Sequence, residues 1–240
     1  MNIVQWFKNL FIGKGKTPTL ADVILAYNHP FINYYPAGSK IINAEVHKIT
    51  AAQAQQVANL IASEAKRVGL DPLFLAAALN QESMFDGNCY NKNLKEHSQS
   101  FAGTDWGIAQ MAGTYLPSKP GMQGLNTTQM YLKAFDVTWA IPVFADEMLS
   151  LFMQAKTWML TLDNLAAIRA INNTSLTNPE FIATGAYNAG FTGITKLILE
   201  KSTNIVHPFR VATWFDQFVE ILNGGKGIPW NIGVNVTWKF

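Results

Sequence analysis

The sequence predicts a mainly α-helical protein, and two kinds of observation support this fold class. Apolar residues recur at helical spacing in most stretches between residues 50 and 222, and residues that begin or end helices stand at their borders. Hydrophobic residues make up 49% of the 240-residue chain and charged residues 14%. A sizeable core can therefore form, which argues against disorder of the whole chain.

The first 45 residues predict an N-terminal extension. Residues 1–12 form an amphipathic helical pattern, which would pack on the main domain or dock to a membrane or a partner. Residues 19–44 combine a short apolar segment with two prolines and predict an irregular connection. The apolar positions of the first pattern are Ile3, Trp6, Phe7, Leu10 and Phe11.

Two consecutive helices with clear boundaries open the main domain. Thr50 is the expected N-cap of the first, whose apolar face continues until Gly69. Asp71 and Pro72 then supply the cap and first turn of a second helix. This second helix is apolar nearly all round, which is typical of a helix buried in the middle of a domain.

The rest of the chain predicts further helices around one polar segment. Residues 86–104 predict a loop or a small irregular lobe, and residues 230–238 alternate like a short strand. The expected organisation is an extension over 1–45, a main domain over 46–224 and a short C-terminal β-like tail over 225–240. Five more helices are expected near residues 138–160, 161–171, 178–188, 193–202 and 208–222.

Charge and residue usage argue against several functional classes. The net charge is +2, from 18 Lys and Arg against 16 Asp and Glu, which is too balanced for a nucleic-acid binder. Cys89 is the only cysteine, and the four histidines are scattered, so neither disulfides, a metal site nor a cofactor is expected. The sequence predicts no membrane span and no signal peptide.

Glu82 is the first candidate for chemistry. It shares a helical face with Leu75 and Leu79 at the end of the second helix. A carboxyl group that burial keeps protonated near neutral pH can act as a general acid, which glycosidic bond cleavage requires. From position alone, a helix-end glutamate that simply turns to solvent is the more common case.

Two later segments carry further polar candidates. Residues 105–111 read Asp-Trp-Gly-Ile-Ala-Gln-Met, in which Gly107 permits close backbone approach and Gln110 can hydrogen-bond a sugar. Residues 186–190 read Ala-Tyr-Asn-Ala-Gly and place Tyr187 and Asn188 beside a helix end. Each segment alone is ordinary structure in most proteins.

Taken in order, Glu82-Ser83 and these two segments resemble the catalytic domain of the lytic transglycosylases. That family shows a helix ending in Glu-Ser, then Gly-Leu-Met-Gln, then Ala-Tyr-Asn-Ala-Gly. Residues 136–141 resemble the intermediate Asp-Pro-x-x-Asn-Ile segment only loosely, because its Pro and Asn are replaced. The resemblance covers about residues 55–220 and implies a lysozyme-like fold related to goose-type lysozyme.

The resemblance also implies an activity and a set of site residues. The partner would be the glycan strand of peptidoglycan, cleaved between N-acetylmuramic acid and N-acetylglucosamine with a 1,6-anhydro product. Glu82 would be the sole acid and base, and Tyr187 would orient it or the developing charge. The residues that would line or support the sugar groove are Ser83, Gly107, Ala109, Gln110, Tyr187 and Asn188.

Several alternatives stay open at this stage. Asp86, Glu96 or Asp105 would act as a second carboxylate in an inverting hydrolase, a muramidase, or would be solvated loop charges. Trp106 would stack on a sugar or belong to the core. Cys89 is expected to be structural. The last alternative is a non-catalytic virion or secretion-apparatus component on the same fold.

The expected biological setting follows from the missing signal peptide. An enzyme that acts on the bacterial cell wall would then be associated with a bacteriophage virion or be released from the host cytoplasm. The N-terminal segment would contact virion or secretion-apparatus proteins.

Overall fold

The protein is mainly helical in a computed structural model that describes residues 17–28, 47–92, 103–171 and 173–223. The predicted helix over 1–12, Glu96 and the strand-like tail over 230–238 lie outside these ranges. The α-helices of the described part are α1 (Leu20–Tyr27), α2 (Ala51–Val68), α3 (Pro72–Ser83), α4 (Thr127–Phe135), α5 (Val137–Trp158), α6 (Leu162–Ala170), α7 (Pro179–Ala189), α8 (Phe191–Leu199) and α9 (Val206–Leu222).

The predicted caps of α2 and α3 are confirmed. The Thr50 side chain accepts a hydrogen bond from the main-chain nitrogen of Gln53, whose side chain in turn accepts from the Thr50 main chain. The helix ends at Gly69 in the left-handed conformation. Asp71 accepts a 2.7 Å bond from the main-chain nitrogen of Leu73, with Pro72 in the first turn.

Helix α3 occupies the centre of the domain, as the sequence predicts. It packs against both α2 and α9, and all residues from Phe74 to Asn80 are buried. Burial of consecutive residues on every side requires neighbours all round, so the apolar composition of α3 is explained by its location. Both ends of the helix reach the edge of the core, with Pro72 exposed at the start and Glu82 partly buried at the end.

The prediction of an irregular segment is wrong for residues 20–27, which form α1. Thr19 caps this helix together with Asp22, and Val23, Ile24 and Tyr27 are fully or almost fully buried in the main core. The helix has only eight residues, too few to display a clear period. Packing on α2 and α9 stabilises it instead, so the core begins before the predicted boundary at residue 46.

The polar segment near residue 90 contributes to a small antiparallel sheet that the sequence did not predict. Its strands are β1 (Tyr90–Lys92), β2 (Thr104–Trp106) and β3 (Met111–Ala112), in spatial order β1-β2-β3. Asp105 pairs with residue 91 on one side and with Ala112 on the other. Residues 107–110 form the turn between β2 and β3, and this turn is referred to below as the 107–110 turn.

The remaining helices complete the core around this centre. Helix α5 packs against α2 and α7, and α7 also contacts α8 and α9. A second buried cluster lies where α6, α7 and α8 meet, with Ile168, Ile182, Ile194 and Ile198 at its centre. Among the described residues, no helix combines the length and the apolar character needed to cross a lipid bilayer.

Candidate active site

Glu82 lies in the last turn of α3 and does not project into bulk water. Only 12% of its side chain is exposed, and its Oε1 lies 2.9 Å from Nε2 of His207. The imidazole is itself 14% exposed and comes from the second residue of α9. The packing of α9 on α3 therefore brings together a carboxyl group and a histidine that are far apart in sequence.

The chain bends sharply directly after this helix. Met84 and Phe85 both have positive φ, at 52° and 63°, a conformation that costs about 1–2 kcal/mol for each non-glycine residue. The surrounding structure holds the bend, because Asn28 donates a 2.9 Å hydrogen bond to the Met84 carbonyl and Phe85 is fully buried. A strained bend thus fixes the end of α3 beside Glu82.

Gly107 allows the 107–110 turn to approach the end of helix α4 closely. Its φ is +76°, and a Cβ atom at this position would lie 2.0 Å from the main-chain oxygen of Ala134. Its main-chain nitrogen donates a 2.8 Å hydrogen bond to the carbonyl of Cys89. A side chain cannot be accommodated here, which explains the glycine in physical terms.

The side chain of Gln110 stabilises the same turn from within. Its Nε2 donates to the carbonyl of Gly107 at 2.8 Å and to that of Cys89 at 3.2 Å. The amide nitrogen is therefore committed to protein groups. Among the described residues, none bonds the Oε1 atom, which leaves this oxygen for the donor of a ligand.

Two side chains from different helices bind neighbouring carbonyls of the 107–110 turn. Ser83, the last residue of α3, donates a 2.6 Å hydrogen bond to the carbonyl of Ile108. Tyr187, from α7, donates a 2.7 Å hydrogen bond to the carbonyl of Ala109. The three sequence segments that were selected for their chemistry therefore meet at one corner of the molecule.

Trp106 and Asn188 occupy different surroundings near this corner. The Trp106 ring stacks on Tyr131, with centroids 5.1 Å apart and planes 17° apart, and it also contacts Tyr90 and Phe135. Trp106 is thus packed among aromatic side chains against the core, which favours a structural role over sugar stacking. Asn188 is exposed near the end of α7.

The candidate second carboxylates are in unlike environments. Burial, and secondly the nearby charge of Glu82, raise the pKa of Asp105 to about 6, so this carboxyl group lies in the electrostatic field of Glu82. Asp86 is buried and accepts hydrogen bonds from the main-chain nitrogens of His47 and Asn88, with the His47 ring 3.0 Å away. These contacts make Asp86 a structural group.

Tyr187 and Cys89 remain protonated. Burial raises the pKa of Tyr187 well above its usual range, and the charges of Glu147, Glu82 and Asp105 act in the same direction. The phenol is therefore a permanent hydrogen-bond donor to the turn. Burial also raises the pKa of Cys89 to about 12, so its thiol is a poor nucleophile at neutral pH. Within the described ranges, no group of three or more potential ligands could hold a metal ion.

Comparisons of the chain with protein-family models, with curated proteins and with solved structures found no match. The geometry of the corner and the order of the three sequence segments therefore carry the functional argument.

His207 is the residue of this corner that the sequence did not predict. It is one of four scattered histidines, and it begins a helix whose start was expected near residue 208. Its contact with Glu82 joins residues that are 125 positions apart, so no local pattern in the sequence indicates it. The only available signal was its position at the start of a predicted helix, which reveals no partner so far away in sequence.

Proposed function

We propose that this protein is a peptidoglycan lytic transglycosylase with a lysozyme-like fold and with Glu82 as its only catalytic acid and base. One observation carries the proposal. The Glu-Ser end of α3, the 107–110 turn and Tyr187 lie together, joined by the bonds of Ser83 to Ile108 and of Tyr187 to Ala109. Short segments that resembled the family only by chance would have no reason to lie together in the folded protein.

The chemistry begins with proton transfer from Glu82 to the glycosidic oxygen between N-acetylmuramic acid and N-acetylglucosamine. The bond from C1 to that oxygen breaks, and positive charge develops on the muramic acid ring. The Glu82 carboxylate then accepts the proton of the 6-hydroxyl group, and O6 bonds to C1. The product is a 1,6-anhydro sugar, no water is consumed, and Glu82 ends the cycle protonated.

The surroundings of Glu82 suit this double task. The Glu82 carboxyl group is mostly buried at the edge of the core, so few water molecules reach it to compete for the proton. In the proposed site, the 107–110 turn forms one wall of the sugar groove, and Gln110 offers its free Oε1 to a sugar donor. Tyr187 supports this wall through Ala109 and does not bond Glu82.

Digestion of purified peptidoglycan, followed by mass spectrometry of the soluble products, tests the proposal. We expect muropeptides that end in the anhydro sugar. Glu82→Gln should abolish their release while preserving the fold, since the amide oxygen can still accept a bond from His207. Lysis by this variant at the parent rate would overturn the assignment of Glu82.

Asp105 favours a second candidate function, hydrolysis by a muramidase on the same fold. An inverting glycosidase uses a second carboxylate to activate water. Asp105 lies in β2, just before the 107–110 turn, and the charge of Glu82 contributes to its raised pKa. Hydrolysis would add one water to each product. Asp105→Asn separates the candidates, because it should block hydrolysis but leave transglycosylation largely intact.

A further inference from the structure

The contact between His207 and Glu82 has a feature that simple helix packing does not explain. One imidazole nitrogen, Nε2, faces Oε1 of Glu82 at 2.9 Å, while the other, Nδ1, is buried. Among the described residues, none forms a hydrogen bond with Nδ1. The position of the ring hydrogen therefore decides whether a buried N–H donor at Nδ1 lacks a partner.

The burial of Nδ1 selects one form of the ring. A proton on Nδ1 would leave a buried N–H donor without a partner, whereas a bare lone pair at that atom is less costly. The ring hydrogen is therefore on Nε2, which donates it to Oε1 of Glu82.

We infer that His207 is a positioning residue for Glu82, an inference that rests on the proposed function. Because Oε1 accepts the bond from His207, the acidic proton of a neutral Glu82 is carried by Oε2. No hydrogen bond from a described residue reaches Oε2. The histidine thus fixes the rotamer of the carboxyl group and determines which oxygen delivers the proton.

The same bond serves the second half of the reaction. After the proton has left, the Glu82 carboxylate keeps one charge-assisted hydrogen bond from Nε2 of His207. Its other oxygen stays free to accept the proton of the 6-hydroxyl group. His207 itself gains and loses no proton during the cycle.

Substitutions at position 207 test this role with a control on the same pair of helices. His207→Leu removes the donor, whereas His207→Gln places an amide N–H at a similar reach. Trp214→Phe is the matched control, because Trp214 of α9 donates a 3.0 Å bond to Gln81, the neighbour of Glu82. All variants are first checked for folding by circular dichroism and thermal unfolding.

The expected result is a change in kcat that the control does not share. His207→Leu should lower kcat on purified peptidoglycan by roughly ten- to a hundredfold, with a small change in KM, as is common when an orienting hydrogen bond is lost. His207→Gln should recover most of the loss, and Trp214→Phe should keep the parent kcat. An unchanged kcat for His207→Leu, or equal losses in all variants, would overturn the role of His207.

Nitrogen NMR of the full chain gives a readout that does not depend on activity. At neutral pH, Nδ1 of His207 should resonate as an unprotonated nitrogen and Nε2 as a protonated one. The opposite tautomer would overturn the inference. A parent chain that adopts the expected tautomer but cleaves no peptidoglycan would overturn the proposed function, and the positioning role of His207 with it.

Discussion

The phenol of Tyr187 donates a 2.7 Å hydrogen bond to the carbonyl of Ala109, which is 78 residues earlier in the chain and fully buried. This bond joins α7 to the 107–110 turn. The Tyr187 ring also meets Phe144 edge to face, with centroids 5.1 Å apart, so the phenol is held by packing as well as by its hydrogen bond.

Tyr187→Phe should therefore destabilise the protein through one identifiable bond. The ring packing against Phe144 is kept, but the buried Ala109 carbonyl loses its donor, which costs about 1–3 kcal/mol. Urea denaturation of the parent and the variant measures this loss. Equal unfolding midpoints and slopes would mean that the phenol contributes nothing to the stability of the turn.

Gly107→Ala should be far more disruptive than a matched glycine substitution. At Gly107 the added Cβ would meet the Ala134 main-chain oxygen at 2.0 Å, whereas at Gly124 it would meet nothing within 4 Å. Both residues have positive φ, so Gly124→Ala reports the backbone strain alone, about 1–2 kcal/mol. Thermal unfolding should show a clearly larger loss for Gly107→Ala, and similar losses would contradict the close approach.

Asp105→Asn should stabilise the protein above pH 6. The pKa of Asp105 is about 6 in the folded protein against an ordinary value of 3.8. Between these values the folded state binds more protons than the unfolded state, so Asp105 lowers the free energy of unfolding as the pH rises through this window. The stabilising effect of the substitution should fade below about pH 4. Urea titrations of the parent and the variant at several pH values measure this difference in the free energy of unfolding.

Glu82→Gln should separate the two causes that raise the pKa of Asp105. Removal of the Glu82 charge should lower this pKa towards 3.8, while burial keeps it above that value. Asp216 is an internal control, because burial alone raises its pKa to about 6. Carboxyl-carbon NMR titration follows both groups in one sample. A shift of Asp216 as large as that of Asp105 would indicate a general structural change.

The Cys89 thiol should be inert in the native protein. It is fully buried, and burial with the charges of Asp86 and Glu82 raises its pKa to about 12. A thiol reagent added at pH 8 should react slowly with the folded chain and rapidly in denaturant. Rapid native labelling would show that the segment after α3 opens readily.

The sequence predicted those features of the fold that depend on neighbouring residues. Thr50, Gly69 and Asp71-Pro72 mark helix boundaries because caps are formed within one turn. The apolar character of α3 predicted its central position because few other locations tolerate so little polar surface. These signals are local and are legible without knowledge of the tertiary structure.

The features that the sequence did not predict depend on distant contacts. Helix α1 is short and is stabilised by packing on α2 and α9. The sheet has strands of two or three residues, which are too short to show alternation. The sequence selected Gln110 as a sugar ligand, but its amide nitrogen binds the turn itself, and no local pattern reveals the pairing of His207 with Glu82.

The corner around Glu82 is closed by hydrogen bonds that span 25, 78 and 125 residues. Contacts of such sequence separation require long loops to close before they are formed, which slows folding relative to local helix formation. During refolding, helical circular dichroism should therefore return earlier than the proposed cleavage of glycan. Under the proposed function, a collapsed chain that is rich in helix but not yet joined at this corner would be harmless to a cell wall.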